Sequence, residues 1–358
     1  MELSVDEKYT LITRNLQETI MDEVVMKKIL ASRPLKVYWG TAATSAPSIA
    51  YFIPMMKLRD LVNAGCEVII LIADLHAVLD NLKSTFKEIE YRVQYYTKII
   101  QEMLLTLNVD VNKIKFVKGS DFQLSKEYTL DMYRAHTMIT VAEAKHAGTE
   151  VVKQTEHPKM CSLMYPTLQA LDEQYLGVDV ELSGIDQIKI YGHALNIMPK
   201  LGYKKRMYLM TSMLSGLIQN KKEEKTYTNI GEDKMSSSNK DSKIDLLDTK
   251  RQLKEKINKC YCLPCDIEDN CLMEMLERLI FPILEIRGSK FVINRPEKYG
   301  GTIIYENIKQ VKNDFKEQNL HPGDFKNGII EAIDYILEPI RKSMDNDEMK
   351  KLIKLAYS

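Results

Sequence analysis

One stretch constrains this chain more than any other: "CEVIILIADLHA", residues 66–77, is a nearly unbroken run of β-branched and apolar side chains. A strand without polar alternation has to be covered on both faces, which is the situation inside a parallel sheet flanked by helices. Two shorter runs, "PLKVYWG" ending at Gly40 and "IKFVKGSDF" starting at Ile114, lie before and after it, and helical periodicity fills the intervals at 49–58 and 85–107. This succession of βαβ units reads as an α/β fold with a Rossmann-like parallel sheet. Ligands of such sheets bind beyond the carboxyl ends of the strands, which here carry Tyr38 to Gly40, Asp74 to His76 and Gly119 to Asp121.

Ahead of the sheet, residues 5–31 read as a helix, with Leu11, Ile12, Leu16, Ile20, Val24, Val25 and Ile29 at helical spacing. After it, 128–153 and "SLMYPTLQALDEQYL" are helical, and "GVDVELSGIDQIKIYGHAL" is a strand, a turn at Ser183 and Gly184, and a helix. The polar segment 218–243 reads as a surface loop, and a loop of that length within a folded chain is typically a lid or a disordered segment. Beyond about residue 246 helical patterns dominate, as in "DTKRQLKEKINK" and "NGIIEAIDYILEPIRKSM". The expected organisation is an N-terminal helical segment 1–32, a sheet domain 33–245 with the lid at about 218–243, and a helical domain 246–358.

Fifty basic residues balance fifty acidic ones among 358, so no global field draws the protein toward nucleic acid, although a local patch still can. No apolar run reaches the ~18 residues of a membrane span. The N-terminus mixes acids and bases without the apolar core of a secretory signal, which makes cytoplasmic residence the expectation. Six cysteines are too sparse for a disulfide scaffold. "CYCLPCDIEDNC" contains one C-x-x-C but no second spaced pair and no histidine, so no structural zinc and no other protein-held metal is expected.

The loop from Gly40 to Pro47 is small and polar and matches neither a dinucleotide fingerprint nor a Walker loop. What it offers a nucleotide is the start of a helix near Pro47 or Ser48, whose first N–H groups have no intrahelical partner. Lys234, in "KMSSS", supplies the cation that this loop lacks and can strengthen its contact as charge builds on a leaving pyrophosphate. Polar groups also interrupt apolar elements at Tyr38, Asp74, His76, Tyr165, Gln169, Asp172 and Gln187. Tyr165, Gln169 and Asp172 share one helical face, and such a face pointed at strand ends is suited to an amino acid. Taken singly, the same residues read as an ordinary N-cap, a solvated loop and satisfied core polar groups.

With those residues in place, the chain resembles the tyrosyl-tRNA synthetases of the eukaryotic and archaeal type, within the class I aminoacyl-tRNA synthetases. The resemblance runs from about Pro34 to Arg341 through "VYWGTA", "AGCEV", "ADLHAVLDN", "GSDFQLSKEYTLD", "AGTEVVKQ", "YPTLQALDEQYLGVD", "GIDQIKI", "KMSSS", "SKIDLLD", "NRPEKYGG" and "LHPGDFKN". It implies a catalytic Rossmann-like domain, an all-helical anticodon-binding domain and a homodimer. It also implies activation of L-tyrosine with ATP and Mg2+, and transfer of tyrosyl to tRNA(Tyr).

The tyrosine pocket implied by the resemblance falls on Tyr38 and Asp172 for the phenolic hydroxyl, with Tyr165, Gln169 and Gln187 around the α-ammonium. ATP would meet Gly40, Thr41, Ser48, Tyr51, Lys234, Met235 and Ser236; of these, Lys234, Ser48 and Ser236 are the candidate catalytic groups. The anticodon set falls on Tyr299, His321 and Asp324, two rings stacking a guanine whose donors the carboxylate accepts.

Three features depart from the family pattern. In "SAPSIAY", Ser48 stands where the signature histidine is usual and Ala46 where a basic residue is usual. Ile188 replaces an arginine after Gln187, and residues 219–233 lengthen the approach to Lys234. The rival reading, a homologue that binds tRNA or nucleotide without activating tyrosine, rests on Ser48. A tryptophan-specific sister enzyme is the third, and Tyr38 with Asp172 speaks against it, because a buried carboxylate matched to a phenol is a poor floor for an indole.

Overall fold

The computed structural model describes residues 3–80, 85–151, 157–218, 235 and 242–357. Helix α1 (Val5–Thr13) starts on a capping box between Ser4 and Glu7. Asn15 then adopts a left-handed conformation with φ of 56°. Strand β1 (Glu18–Ile20) follows, and Asp22 accepts the Val25 N–H to begin helix α2 (Glu23–Ser32). The single helix expected over 5–31 is therefore two helices separated by an edge strand. Asn tolerates the left-handed turn and Asp caps a new start, while Leu16 between them still packs on the core and preserves the apolar spacing.

The sheet region continues with β2 (Lys36–Thr41), a 3-10 turn at Ile49–Tyr51 that runs into α3 (Phe52–Asn63), β3 (Glu67–Ile72), α4 (Asp74–Leu79) and α5 (Phe86–Thr106). Next come β4 (Ile114–Lys118), α6 (Ser120–Gln123), α7 (Lys126–His136) and α8 (Val141–Ala147). Then follow α9 (Met160–Tyr175), β5 (Val180–Gly184), α10 (Ile188–Lys200) and β6 (Met207–Thr211). The helix read over 128–153 is broken between α7 and α8, because Thr140 and Glu143 form a capping box that starts a new helix.

Among the described residues, six strands form one sheet in the order β1-β6-β5-β2-β3-β4, parallel throughout except for the β1–β6 edge. The chain steps outward from β2 to β4 and then returns to place β5 on the other side of β2. Strand order reverses there, which locates the crevice at the carboxyl ends of β2 and β5. Alternation along the strands divides the two faces. Val37, Trp39, Val68, Ile70, Leu182 and Leu209 join the cluster that contains α3 and α5 residues. Tyr38, Glu181 and Tyr208 are register neighbours on the opposite face, where α9 and α10 supply Leu168, Leu171, Tyr191 and Ala194 to the core that buries Tyr208.

Beyond β6, the chain is mainly helical: α11 (Lys250–Lys259), α12 (Cys271–Met275), α13 (Phe281–Ile286), α14 (Ile308–Lys316), α15 (Pro322–Met344) and α16 (Asp347–Ala356). It also carries a short antiparallel ribbon of β7 (Phe291–Ile293) and β8 (Ile303–Tyr305) that the helical reading did not include. Helices α15 and α16 pack on α5, and one apolar cluster runs from Ile12 to Leu352. Among the described residues, no helix is long and apolar enough to cross a membrane.

Candidate active site

Helix α9 delivers Tyr165, Gln169 and Asp172 to the face of the sheet that carries Tyr38. Asp172 is 1% exposed. Its Oδ1 accepts from Gln123 Nε2 at 2.8 Å and lies 2.9 Å from the Tyr128 hydroxyl, while Oδ2 is 3.8 Å from His76 Nε2. Burial raises the Asp172 carboxyl well above the ordinary carboxylate range, and the hydrogen bonds from Gln123 and Tyr128 oppose that shift. His76 is pushed down to about 4 by burial, so its imidazole is neutral at physiological pH. The Tyr165 ring meets it edge-on, with centroids 4.7 Å apart.

The Tyr38 hydroxyl is buried, as is His76 Nε2, and neither has a hydrogen-bond partner. Burial, and then the nearby carboxylates of Glu181, Asp172 and Glu173, raise Tyr38 well above the usual phenol range. This floor holds an unused hydroxyl beside a carboxylate. A phenolic guest donating to Asp172 and accepting from Tyr38 would pair with both, and an aliphatic or unsubstituted aromatic guest would leave the Tyr38 hydroxyl without a close partner and Asp172 with only Gln123 and Tyr128.

Midway along the α9 face, Gln169 Nε2 donates to Glu181 Oε1 at 2.8 Å and to Gln187 Oε1 at 3.3 Å. The structure thus gathers Tyr38, Tyr165, Gln169, Asp172 and Gln187 around the switch between β2 and β5. Ile188, in the position usual for arginine, packs against the apolar cluster of Tyr191 and Tyr208.

The nucleotide side is built differently. Gly40 and Thr41 end β2, and the Thr41 hydroxyl lies 2.9 Å from the Tyr51 hydroxyl. Three successive carbonyls of the following loop are tied down: Arg92 donates to Thr44, Tyr96 to Ser45, and Lys243 to Ala46, the last at 2.8 Å. Ser48 is buried and forms an antiparallel bridge with Asp245, and the Ile49 N–H is taken by the Ile244 carbonyl at 2.9 Å. The helix start read as an open anion cradle is therefore partly closed, because the chain returning after the lid region occupies one of its donors. Met235 is buried, its N–H donating to the Leu214 carbonyl at 2.8 Å. Lys234, Ser236 and nearly all of the lid expected at about 218–243 lie outside the described residues.

Several of these groups escaped the sequence reading. Gln123, Tyr128 and Glu181 hold the pocket residues in place, and Arg92, Tyr96 and Lys243 hold the loop. A carboxylate inside the apolar strand "VELS" was the one local signal for Glu181; the others are polar groups on helices and loops, brought in by topology. A separate cavity of about 780 Å³ opens beside Arg14, Lys57, Asp60 and Arg278. Its cations are already engaged: Arg14 and Lys57 both pair with Asp60, Arg59 donates to the Leu107 carbonyl and Arg278 pairs with Glu274. Among the described residues, no group of three or more His, Cys, Asp or Glu is arranged to hold a metal.

At the far helical end, Tyr299 is 62% exposed and Lys298 Nζ lies 4.8 Å from its ring centroid. His321 caps α15, its Nδ1 accepting from the Gly323 N–H at 3.0 Å, which leaves the ring proton on Nε2. Asp324 sits in the first turn of the same helix. Arg295 bridges the Gly301 and Asn319 carbonyls at 3.1 and 3.4 Å, joining the loop after Tyr299 to the loop before His321. Gly300 and Gly301, with φ of 94° and 70°, let the chain make that turn.

The chain is similar to known proteins over nearly its whole length. Residues 30–338 match the family described as tRNA synthetases class I (W and Y). The chain is 48% identical over 356 residues to the cytoplasmic tyrosine–tRNA ligase of Danio rerio, covering 99% of this chain and 64% of that protein. It is 43% identical to the cytoplasmic tyrosine–tRNA ligase of Saccharomyces cerevisiae, covering 96% of this chain and 85% of the yeast protein. The tyrosyl-tRNA synthetase of Archaeoglobus fulgidus, solved with L-tyrosine, superposes with a TM-score of 0.80 at 34% identity, over 94% of this chain and 99% of that one.

The chain belongs to the class I tRNA synthetases, in the family that serves tryptophan and tyrosine. Within that family it groups with the tyrosyl-tRNA ligases of the eukaryotic and archaeal type. It spans less than two thirds of the length of the vertebrate relatives, 64% in the case of the Danio rerio protein.

Proposed function

We propose that this protein activates L-tyrosine with ATP and transfers the tyrosyl group to the 3′ end of tRNA(Tyr). The observation that carries the reading is the pocket floor: a buried, unpartnered Tyr38 hydroxyl beside the Asp172 carboxylate, on the strand and helix that flank the switch point. In the first step, a carboxylate oxygen of tyrosine attacks the α-phosphorus of ATP, and the bond to the departing pyrophosphate breaks. In the second, the terminal ribose hydroxyl of tRNA attacks the tyrosyl carbonyl and AMP leaves. No protein nucleophile is required, so positioning and charge stabilisation carry the rate. Tyr38 and Asp172 hold the phenol, while Tyr165, Gln169 and Gln187 hold the ammonium end. Gly40, Thr41, Ser48, Tyr51 and Met235 line the ATP side, with Lys234 and Ser236 reaching the phosphates. Mg2+ enters on the phosphate oxygens of ATP.

The same proposal assigns residues 33–245 to catalysis and 246–358 to the anticodon, read by Tyr299, His321 and Asp324. It includes a homodimer, whose surface is the exposed apolar group of Leu124, Leu130, Tyr133, Met138 and Val141 on and beside α7 and α8. Met132 and Ile139, on the same stretch, pack partly buried against the protein's own core. Cytoplasmic residence is part of the reading, in keeping with relatives that are named as cytoplasmic enzymes.

Tyrosine-dependent ATP–pyrophosphate exchange, followed by charging of tRNA(Tyr), tests the proposal. Exchange with tyrosine supports it. Tight tRNA binding without any exchange would favour the non-activating homologue, the reading that buried Ser48 and the absence of a cation at Ala46 keep in play.

A further inference from the structure

Beneath the pocket lies a buried acidic cluster that none of the steps above uses. Glu181 projects from β5 between its register neighbours Tyr38 and Tyr208, and is 2% exposed. Glu173, on α9, accepts from the Tyr208 hydroxyl at 2.9 Å. Tyr191 on α10 and Tyr38 on β2 bring two further buried hydroxyls toward Glu181, and neither these nor Glu181 Oε2 makes a close hydrogen bond. Arg206, the cation that acts on Glu173, is engaged with Gln174 at 2.8 Å and with the Lys204 carbonyl. Among the described residues, the close donor to Glu181 is the Gln169 amide, at 2.8 Å, and it opposes the effect of burial on that carboxyl more than Tyr38 or Tyr191 does.

A primary amide has two ends of opposite character. An ionised carboxylate only accepts, so Glu181 draws the NH2 end of Gln169 toward the sheet. The second N–H of that group goes to Gln187 Oε1 at 3.3 Å. Both donors are then spent, and the amide oxygen is the end left to meet a substrate cation. Reversed, the same side chain would present N–H groups to an ammonium and repel it.

We infer that Glu181 is a positioning residue for amino-acid recognition, fixing which end of Gln169 faces the α-ammonium of the substrate. The inference rests on the tyrosine reading of this site. It makes recognition sensitive to the protonation of Glu181. Burial pushes that carboxyl up to about 7, and it pushes Glu173 well above its ordinary range. Above about pH 7 Glu181 is ionised and accepts. Below it, Glu181 gains a proton that it can donate to the Gln169 oxygen, turning the amide the wrong way round.

The test measures KM for tyrosine and for ATP in pyrophosphate exchange from about pH 6 to about pH 8, a range that brackets the titration. It compares wild type, Glu181→Gln and Glu181→Leu. In wild type, tyrosine KM rises as the pH falls below neutrality while ATP KM holds level. Glu181→Leu raises tyrosine KM about tenfold across the range, the effect of one lost charge-assisted hydrogen bond. Glu181→Gln, whose own amide oxygen still accepts from Gln169, recovers most of that loss but no longer responds to pH. An unchanged tyrosine KM in Glu181→Leu, or a wild-type pH response in Glu181→Gln, overturns the inference. Should the leucine variant not fold, the pH response of the glutamine variant decides alone. Absence of tyrosine-dependent exchange in wild type would sink the tyrosine reading itself, an outcome distinct from active wild type with an indifferent Glu181.

Discussion

The amino-acid pocket and the nucleotide loop sit at the ends of the same strands but are built on opposite plans. In the pocket, polar side chains from five elements are buried, Tyr38, His76, Gln123, Tyr128 and Asp172, and all but Tyr38 are cross-braced. In the loop from Thr44 to Ser48, side chains are small, and what is braced is the backbone, gripped by Arg92, Tyr96 and Lys243. The first plan suits discrimination, because a buried donor or acceptor left unpaired is costly. The second suits a substrate whose charge is met elsewhere, since the loop itself carries no cation. On the proposed reading, selectivity is installed in the sheet, and the phosphates are left to Lys234, which lies outside the described residues.

Changing Asp172 to Ala should separate the two plans most sharply. It strands Gln123 and Tyr128 beneath the pocket, and kcat/KM for tyrosine is expected to drop by at least about 100-fold, equivalent to about 3 kcal/mol, with ATP KM little altered. Steady-state exchange kinetics measure this, and an equal loss on both substrates would blur the distinction.

The pocket should also announce itself through pH. His76 has its pKa lowered from 6.5 to about 4, so the folded state holds it neutral while the unfolded chain takes up a proton. Its contribution is present above about pH 6.5 and declines as the pH falls toward 4, by about 3 kcal/mol in all. Urea unfolding at several pH values should show that decline, and His76→Gln should flatten it.

On the loop side, smaller effects are expected. Ser48→His supplies a ring N–H donor where the resemblance places the signature histidine, worth about tenfold in a free setting. Ser48 is however 4% exposed and bridged to Asp245, so the larger ring must displace the returning chain. A gain in exchange rate below about tenfold, with a lower melting temperature, is the expected outcome. Lys243→Met frees the Ala46 carbonyl and should raise ATP KM about threefold while tyrosine KM stays put, as befits one backbone hydrogen bond. If tyrosine KM moves instead, the loop is part of the pocket and the contrast fails.

How much of this was legible beforehand depended on distance along the chain. The run through Glu67–Ile72 announced a doubly covered strand, and the spacing of Tyr165, Gln169 and Asp172 placed them on one helical face; both are local patterns. The break between α7 and α8 was equally local, in the Thr140–Glu143 box, but apolar spacing across it masked the signal. Glu181 was different. Its meaning comes from lying between Tyr38 and Tyr208, residues joined only by the return of the chain to β5 and β6. Likewise, nothing near Ser48 foretells that Ile244 and Asp245 come back to cover it. The β7–β8 ribbon was lost for a simpler reason: three-residue strands carry too little periodicity to stand out from helices on either side.

The central claim is that Tyr38 and Asp172 read a phenolic hydroxyl. Calorimetric titration of the protein with L-tyrosine and with L-phenylalanine, repeated on Tyr38→Phe, puts it to the test without ATP or tRNA. The account predicts that wild type prefers tyrosine by at least about 100-fold and that the variant loses about tenfold or more of that preference. Equal affinity for the two amino acids, or a preference untouched by Tyr38→Phe, would contradict it.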